Sequence, residues 1–242
     1  MKKNIKKILI ITMLMVILSV TVTFADTLES LEISDYVPSI QILVLFTILA
    51  LLPAIIIMMT SFTRIIIVLS FIRNAVGTQN TPPNQVLIGL AIFLTLFIMS
   101  PVVTQINEEA LQPYLNDEIT QTEAIDNSMK HLRTFMLKQT DGKDLSLFMN
   151  IAQTDEVNDM EDIPNTALIP AFIIGELKKA FQMGFIIFIP FIVIDMIVAS
   201  TLMSMGMMML PPVMISLPFK ILLFILVDGW HLVIKSIVSS FR

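Results

Sequence analysis

Several stretches of this chain are apolar for long enough to cross a lipid bilayer, and that restricts its fold more than any other feature. A bilayer core needs about 20 apolar residues of helix. One such stretch runs from Ile40 to Ile72, a second from Val86 to Val103, a third ends at about Met205, and a fourth runs from Val213 to Ile234. Inside lipid the backbone has no water to bond with, so runs of this length fold as helices. The resulting expectation is an all-α membrane protein of two long helical hairpins with a small polar, partly helical insert. The composition agrees: 55% of the 242 residues are hydrophobic and 14% charged, against about 25% charged in ordinary soluble domains.

The same composition removes several function classes. The net charge is −5 and the Lys and Arg residues are scattered, so no basic face exists to neutralise a nucleic-acid backbone. The chain has no Cys, which rules out disulfides, thiolate metal sites and Cys nucleophiles. No G-x-x-x-x-G-K, H-E-x-x-H or G-x-S-x-G string occurs, so no catalytic, cofactor-binding or metal site is expected and an enzyme reading has no centre to work from.

Residues 1–25 read as a signal peptide: Lys2, Lys3, Lys6 and Lys7 precede an apolar run from Ile8 to Val22, with cleavage expected after Ala25. The amino-terminal hairpin spans 26–104. Its first stretch, roughly 50 Å if fully helical, must tilt, kink or leave the lipid. Pro53 offers a bend, and Arg64 with Ser61 and Thr63 marks where lipid contact becomes costly. Gly77, Asn80, Pro82 and Pro83 predict the turn, and the second span should end near Pro101. An acidic extracytoplasmic insert follows at 105–165, with thirteen Asp and Glu against four Lys and Arg between Gln105 and Pro164. Met129, Leu132, Phe135 and Met136 predict one amphipathic helix. The Asp141-Gly142 turn before Leu145 to Ile151 predicts a second, and Asp155 to Asp162 reads as a solvated loop. The carboxyl-terminal hairpin, 166–242, contains a Met-rich turn. A cleaved signal would put the insert outside and the Arg73 turn inside. Lys178, Lys179, Lys235 and Arg242 then run against the positive-inside tendency.

Asp195 and Lys220 are ionisable residues within apolar spans, costing roughly 2.5–3.5 kcal/mol each on translocon scales unless answered. Both are equally far in sequence from Met207-Met208, the middle of the connection, so a hairpin folded there sets them at similar depth as a charge pair. The two serve as a structural pair, within a subunit or between neighbours, or take part in proton or ion coupling, or make no contact at all. The connection itself holds Met203, Met205, Met207, Met208, Met209 and Met214 beside Gly206, Pro211 and Pro212. Met is unbranched and deformable. It fills gaps in a packed turn, or, from several copies about an axis, forms a soft apolar ring closed to water. Glu176 and Lys179 stand three apart, a spacing at which opposite charges meet on a helix, and Asp228 and His231 repeat it.

Two blocks carry a family resemblance. MTSFTRIIIVLSFIRNAVGTQNTPPNQVLIGLAIFLTLFIMSPV occupies Met59 to Val102. The second block, from Ile169 to Trp230, contains IPAFIIGELKKAFQMGFIIFIPF, IDMIVASTLMSMGMMMLPPVMISLPFK and LLFILVDGW. They resemble the FliP family of flagellar biosynthesis and type III secretion membrane proteins. The resemblance implies assembly of several FliP copies with FliQ and FliR into a helical cone at the flagellar basal body, in the bacterial cytoplasmic membrane. It also implies work alongside FlhB and FlhA, a transient FliO-type assembly factor, and passage of unfolded flagellar substrates. It places a channel gasket at Met207, Met208 and Met209, an intramembrane charge pair at Asp195 and Lys220, and candidate subunit contacts at Arg64, Glu176 and Lys179. Gly175 and Lys179 depart from the family pattern. The alternative from another class is an ion-coupled transporter or channel with Asp195 as proton relay.

Overall fold

The computed structural model describes residues 42–43, 46–47, 50–51, 54–55, 57–152, 162–207 and 209–241. The signal-peptide expectation, most of the Asp155 to Asp162 loop and Met208 lie outside these. The chain divides into two units, Met1–Pro53 and Ala54–Arg242. In the first, the described residues are helical, with Thr47 Oγ1 donating to Leu43 O at 2.8 Å. The second carries all that follows. It is all-α: among the described residues there is no strand.

The break in the first apolar stretch falls at Met59–Ser61, where the helix opens into a turn before α1, Phe62–Val76, begins. In α1 the buried Ile65, Val68, Leu69 and Ile72 recur at helical spacing, giving one face to the protein. Gly77 ends it at φ 85°, a left-handed conformation that suits Gly, its N–H bonding Arg73 O at 3.2 Å. Helix α2, Asn84–Ile106, has apolar residues on all sides and buries only Leu87, Ala91 and Met99. Its remaining apolar surface, including Phe93 and Phe97, faces outward as lipid-exposed helices do. Pro101 does not stop it. The helix runs on through a π turn, Asn107–Leu111, into the short α3, Gln112–Leu115, a run of 32 residues.

The described part of the acidic segment is folded and docked. Helix α4, Gln121–Gln139, opens with a capping box: Thr120 and Glu123 exchange side-chain and backbone bonds, and those bonds hold the Glu123 carboxyl below its usual range. Helix α5, Gly142–Ile151, starts after Asp141. Met136, Leu168 and Phe172 form a small core beneath them, with Leu132, Phe135 and Leu145 packed on it.

Helix α6, Asn165–Ser204, is 40 residues long, about 60 Å at 1.5 Å per residue, and so twice a bilayer core. Pro170 and Pro190 lie inside it without ending it, as neighbouring groups allow for prolines in membrane helices. Its partner in the main core is α1, with Ala180 and Phe191 against Ile65, Leu69 and Ile72. A Cβ at Gly184 would stand 2.5 Å from the Phe71 ring, so these helices approach closely because that residue is Gly. The fourth apolar stretch is not one straight helix. It is α7, Pro212–Leu226, and α8, Gly229–Ser239, bent by 64° where Asp228 takes a left-handed φ of 50°.

Candidate functional site

Gly206 sets the turn between α6 and α7. It sits at φ 75°, its N–H bonds Met203 O at 3.0 Å, and the Met207 N–H bonds Leu202 O at 3.0 Å. That pattern of two reversed bonds closes the last turn of a helix when the residue after the cap is left-handed. Pro211 and Pro212 then open α7, where a missing N–H costs nothing. Held this way, the methionines point outward: Met205 is 67% exposed, Met207 42% and Met209 98%. Met203 and Met214 are exposed on the flanking helices. The bend presents thioethers to whatever lies beyond it.

Below the turn the two ionisable residues meet. Lys220 Nζ donates to Asp195 Oδ2 at 2.6 Å, and Ser216 Oγ donates to Asp195 Oδ1 at 2.5 Å. Lys220 is nearly enclosed and Asp195 partly open, at 4% and 30% exposure. Both carboxylate oxygens are therefore engaged, and the pair ties α6 to α7 within one chain. Ser216 escaped the sequence reading, although it lies one helical turn before Lys220 on the same face.

A second buried pair was not anticipated. Arg64 of α1 donates from Nε to Glu176 Oε2 at 2.9 Å and from Nη2 to Glu176 Oε1. Nη1 reaches the Ser240 carbonyl and hydroxyl, each at 2.9 Å, and Nη2 also reaches Gln139 Oε1 at 3.1 Å. The guanidinium carbon lies 3.7 Å from the centre of the Phe241 ring. Arg64 and Glu176 are thus buried against each other within one chain. Glu176 pairs with Arg64 and not with Lys179, which corrects the pairing drawn from helical spacing. Lys179 instead donates to Gln139 O at 2.5 Å. Nor do Asp228 and His231 pair; among the described residues neither enters an ion pair within 4 Å. Beside this node Lys178 bonds Asp141 at 3.1 Å, and that bond holds the Asp141 carboxyl below its usual range. Among the described residues, no group of three or more His, Cys, Asp or Glu could hold a metal ion.

Fold and site together define a class: a multi-span, all-helical membrane protein whose buried charges are answered within the chain and whose turn at Gly206 displays methionine. The FliP family profile matches residues 45–237. The flagellar biosynthetic protein FliP of Bacillus subtilis (strain 168) is 56% identical over 218 residues, 90% of this chain and 99% of that protein. That of Pectobacterium carotovorum subsp. carotovorum is 55% identical over 203 residues, 84% of this chain and 79% of its own length. That of Aquifex aeolicus (strain VF5) is 49% identical over 210 residues, 86% and 88%. The chain belongs to the FliP family.

Proposed function

We propose that this chain is a subunit of the flagellar type III protein export gate and lines the channel that passes unfolded flagellar proteins across the bacterial cytoplasmic membrane. Its relatives bear the name flagellar biosynthetic protein, which supports a place in the export apparatus. Several copies join FliQ and FliR in a helical cone at the basal body, beside FlhA and FlhB, with a FliO-type factor acting during assembly. Residues 1–25 are a cleaved signal, and 105–165 lie outside the membrane between the two hairpins. The chain has no catalytic cycle of its own.

The observation that carries this reading is the outward display of Met207 and Met209 on a bend fixed by Gly206 and anchored below by Asp195 and Lys220. Deformable apolar side chains in a ring exclude water and ions, yet re-pack around any side chain that arrives. The turn acts as a gasket, and the family resemblance assigns the same role to Met208. Replacing Met207, Met208 and Met209 with Gly is expected to raise ion leak through the cytoplasmic membrane while export continues or declines. A membrane as tight as the parent's would overturn the reading. The relay alternative gains no support: Asp195 is held by Lys220 and Ser216 in a pair within the chain.

A further inference from the structure

We propose that Met205, Met207 and Met209 form an oxidation site, at which a small peroxide converts the thioethers to sulfoxides and thereby unseals the turn. The inference rests on the gate reading above and adds a modification to it. A methionine is oxidised where the oxidant can reach its sulfur. Met59, Met99 and Met136 are buried at 2%, 3% and 0% exposure, whereas Met209 is almost wholly open at 98% and Met205 at 67%; Met58, Met196, Met203 and Met214 are open as well, at 50%, 66%, 63% and 66%, so the bend is set apart by the clustering of its open thioethers and not by exposure alone. Three alternate residues on one bend, all at least 42% exposed, concentrate the reactive groups at the place where an apolar surface matters most.

The chemistry balances with one co-reactant. The thioether sulfur donates an electron pair to one oxygen of hydrogen peroxide, the O–O bond breaks, an S–O bond forms, and the second oxygen leaves as water. Sulfur loses two electrons and peroxide gains them. The product is a polar, chiral side chain in place of a flexible apolar one. A hydrophobic constriction stays shut because nothing in it holds water, and a ring of sulfoxide oxygens supplies acceptors that do. The chain has no Cys, so it carries no thiol with which to undo the change. Restoration needs an external dithiol reductase of the methionine sulfoxide type, which removes the oxygen as water and becomes a disulfide.

The test uses the assembled gate complex with the full chain, reconstituted in liposomes and treated with hydrogen peroxide. Peptide mass spectrometry is expected to find Met205, Met207 and Met209 gaining one oxygen at least about tenfold faster than Met136. Ion leak should rise severalfold over the same vesicles untreated and fall again after both sulfoxide reductases are added. A second complex has Leu at 205, 207 and 209, with Met208 replaced alongside so that no thioether remains in the bend. Its ratio of treated to untreated leak is expected to stay near one, whatever its untreated leak. The proposal is overturned if the bend oxidises no faster than Met136, if a fully oxidised bend leaks no more than an untreated one, or if the Leu complex responds as the parent does. Each of those results leaves the gate reading standing, since that reading is tested separately, by the leak of the Gly variants.

Discussion

A guanidinium carries five donors, and Arg64 uses all of them inside the protein: on Glu176, Gln139 and the Ser240 carbonyl and hydroxyl. Removing one partner of such a pair leaves a buried charge unanswered, so Arg64→Ala or Glu176→Ala is expected to cost about 3–5 kcal/mol. Replacing both with apolar residues should cost less than either alone, as thermal unfolding of the solubilised protein would reveal. Arg64→Lys cannot restore the fork, because an ammonium lacks its planar two-point geometry. The Asp195–Lys220 pair makes an uneven expectation. Lys220→Met leaves Asp195 partly open and still bonded to Ser216, whereas Asp195→Ala strands an almost enclosed ammonium. Asp195→Ala should therefore lower the amount of folded protein in membranes further than Lys220→Met, measured by immunoblot against total synthesis. The two pairs differed in how readable they were. Asp195 and Lys220 flank a turn marked by Gly206 and two prolines, so their depth could be counted. Arg64 and Glu176 are 112 residues apart, joined only by packing of α1 on α6, and no local spacing encodes that.

Among elements, the close approach of α1 and α6 depends on one missing methyl group. A Cβ at Gly184 would meet three atoms of Phe71 at 3.0 Å or less. Gly184→Ala is expected to cost about 1–3 kcal/mol through overpacking, and Phe71→Leu in the same chain should recover part of it, again by thermal unfolding. Helices were legible from apolar length, and α4 and α5 from their spacing and the Asp141-Gly142 signal. Their ends were less so. Pro101 and Pro190 look like stops in a water-soluble sequence, but both lie within continuous helix. Conversely, the bend at Asp228-Gly229 was hidden in a run apolar enough to pass as one span, although a left-handed Asp followed by Gly marks it once seen.

Among the described residues of the second unit, two long apolar helices and a bent third form a scaffold that carries one displayed bend. A buried ion pair at Arg64 and a half-buried one at Asp195 tie together the helices that carry the bend, and the bend offers pliable sulfur to its surroundings. The residues proposed as a gasket stand out by composition and by resemblance, whereas the cone they would complete depends on surfaces of other chains and has no signature within one sequence. The most direct test is a photoreactive amino acid at position 209, in cells where an export substrate is stalled in the gate. A matched probe at position 93, on the outward apolar face of α2, serves as the reference. The account expects covalent adducts with the stalled substrate from position 209 and none from position 93. Adducts absent from position 209, or equally abundant from both, would contradict it.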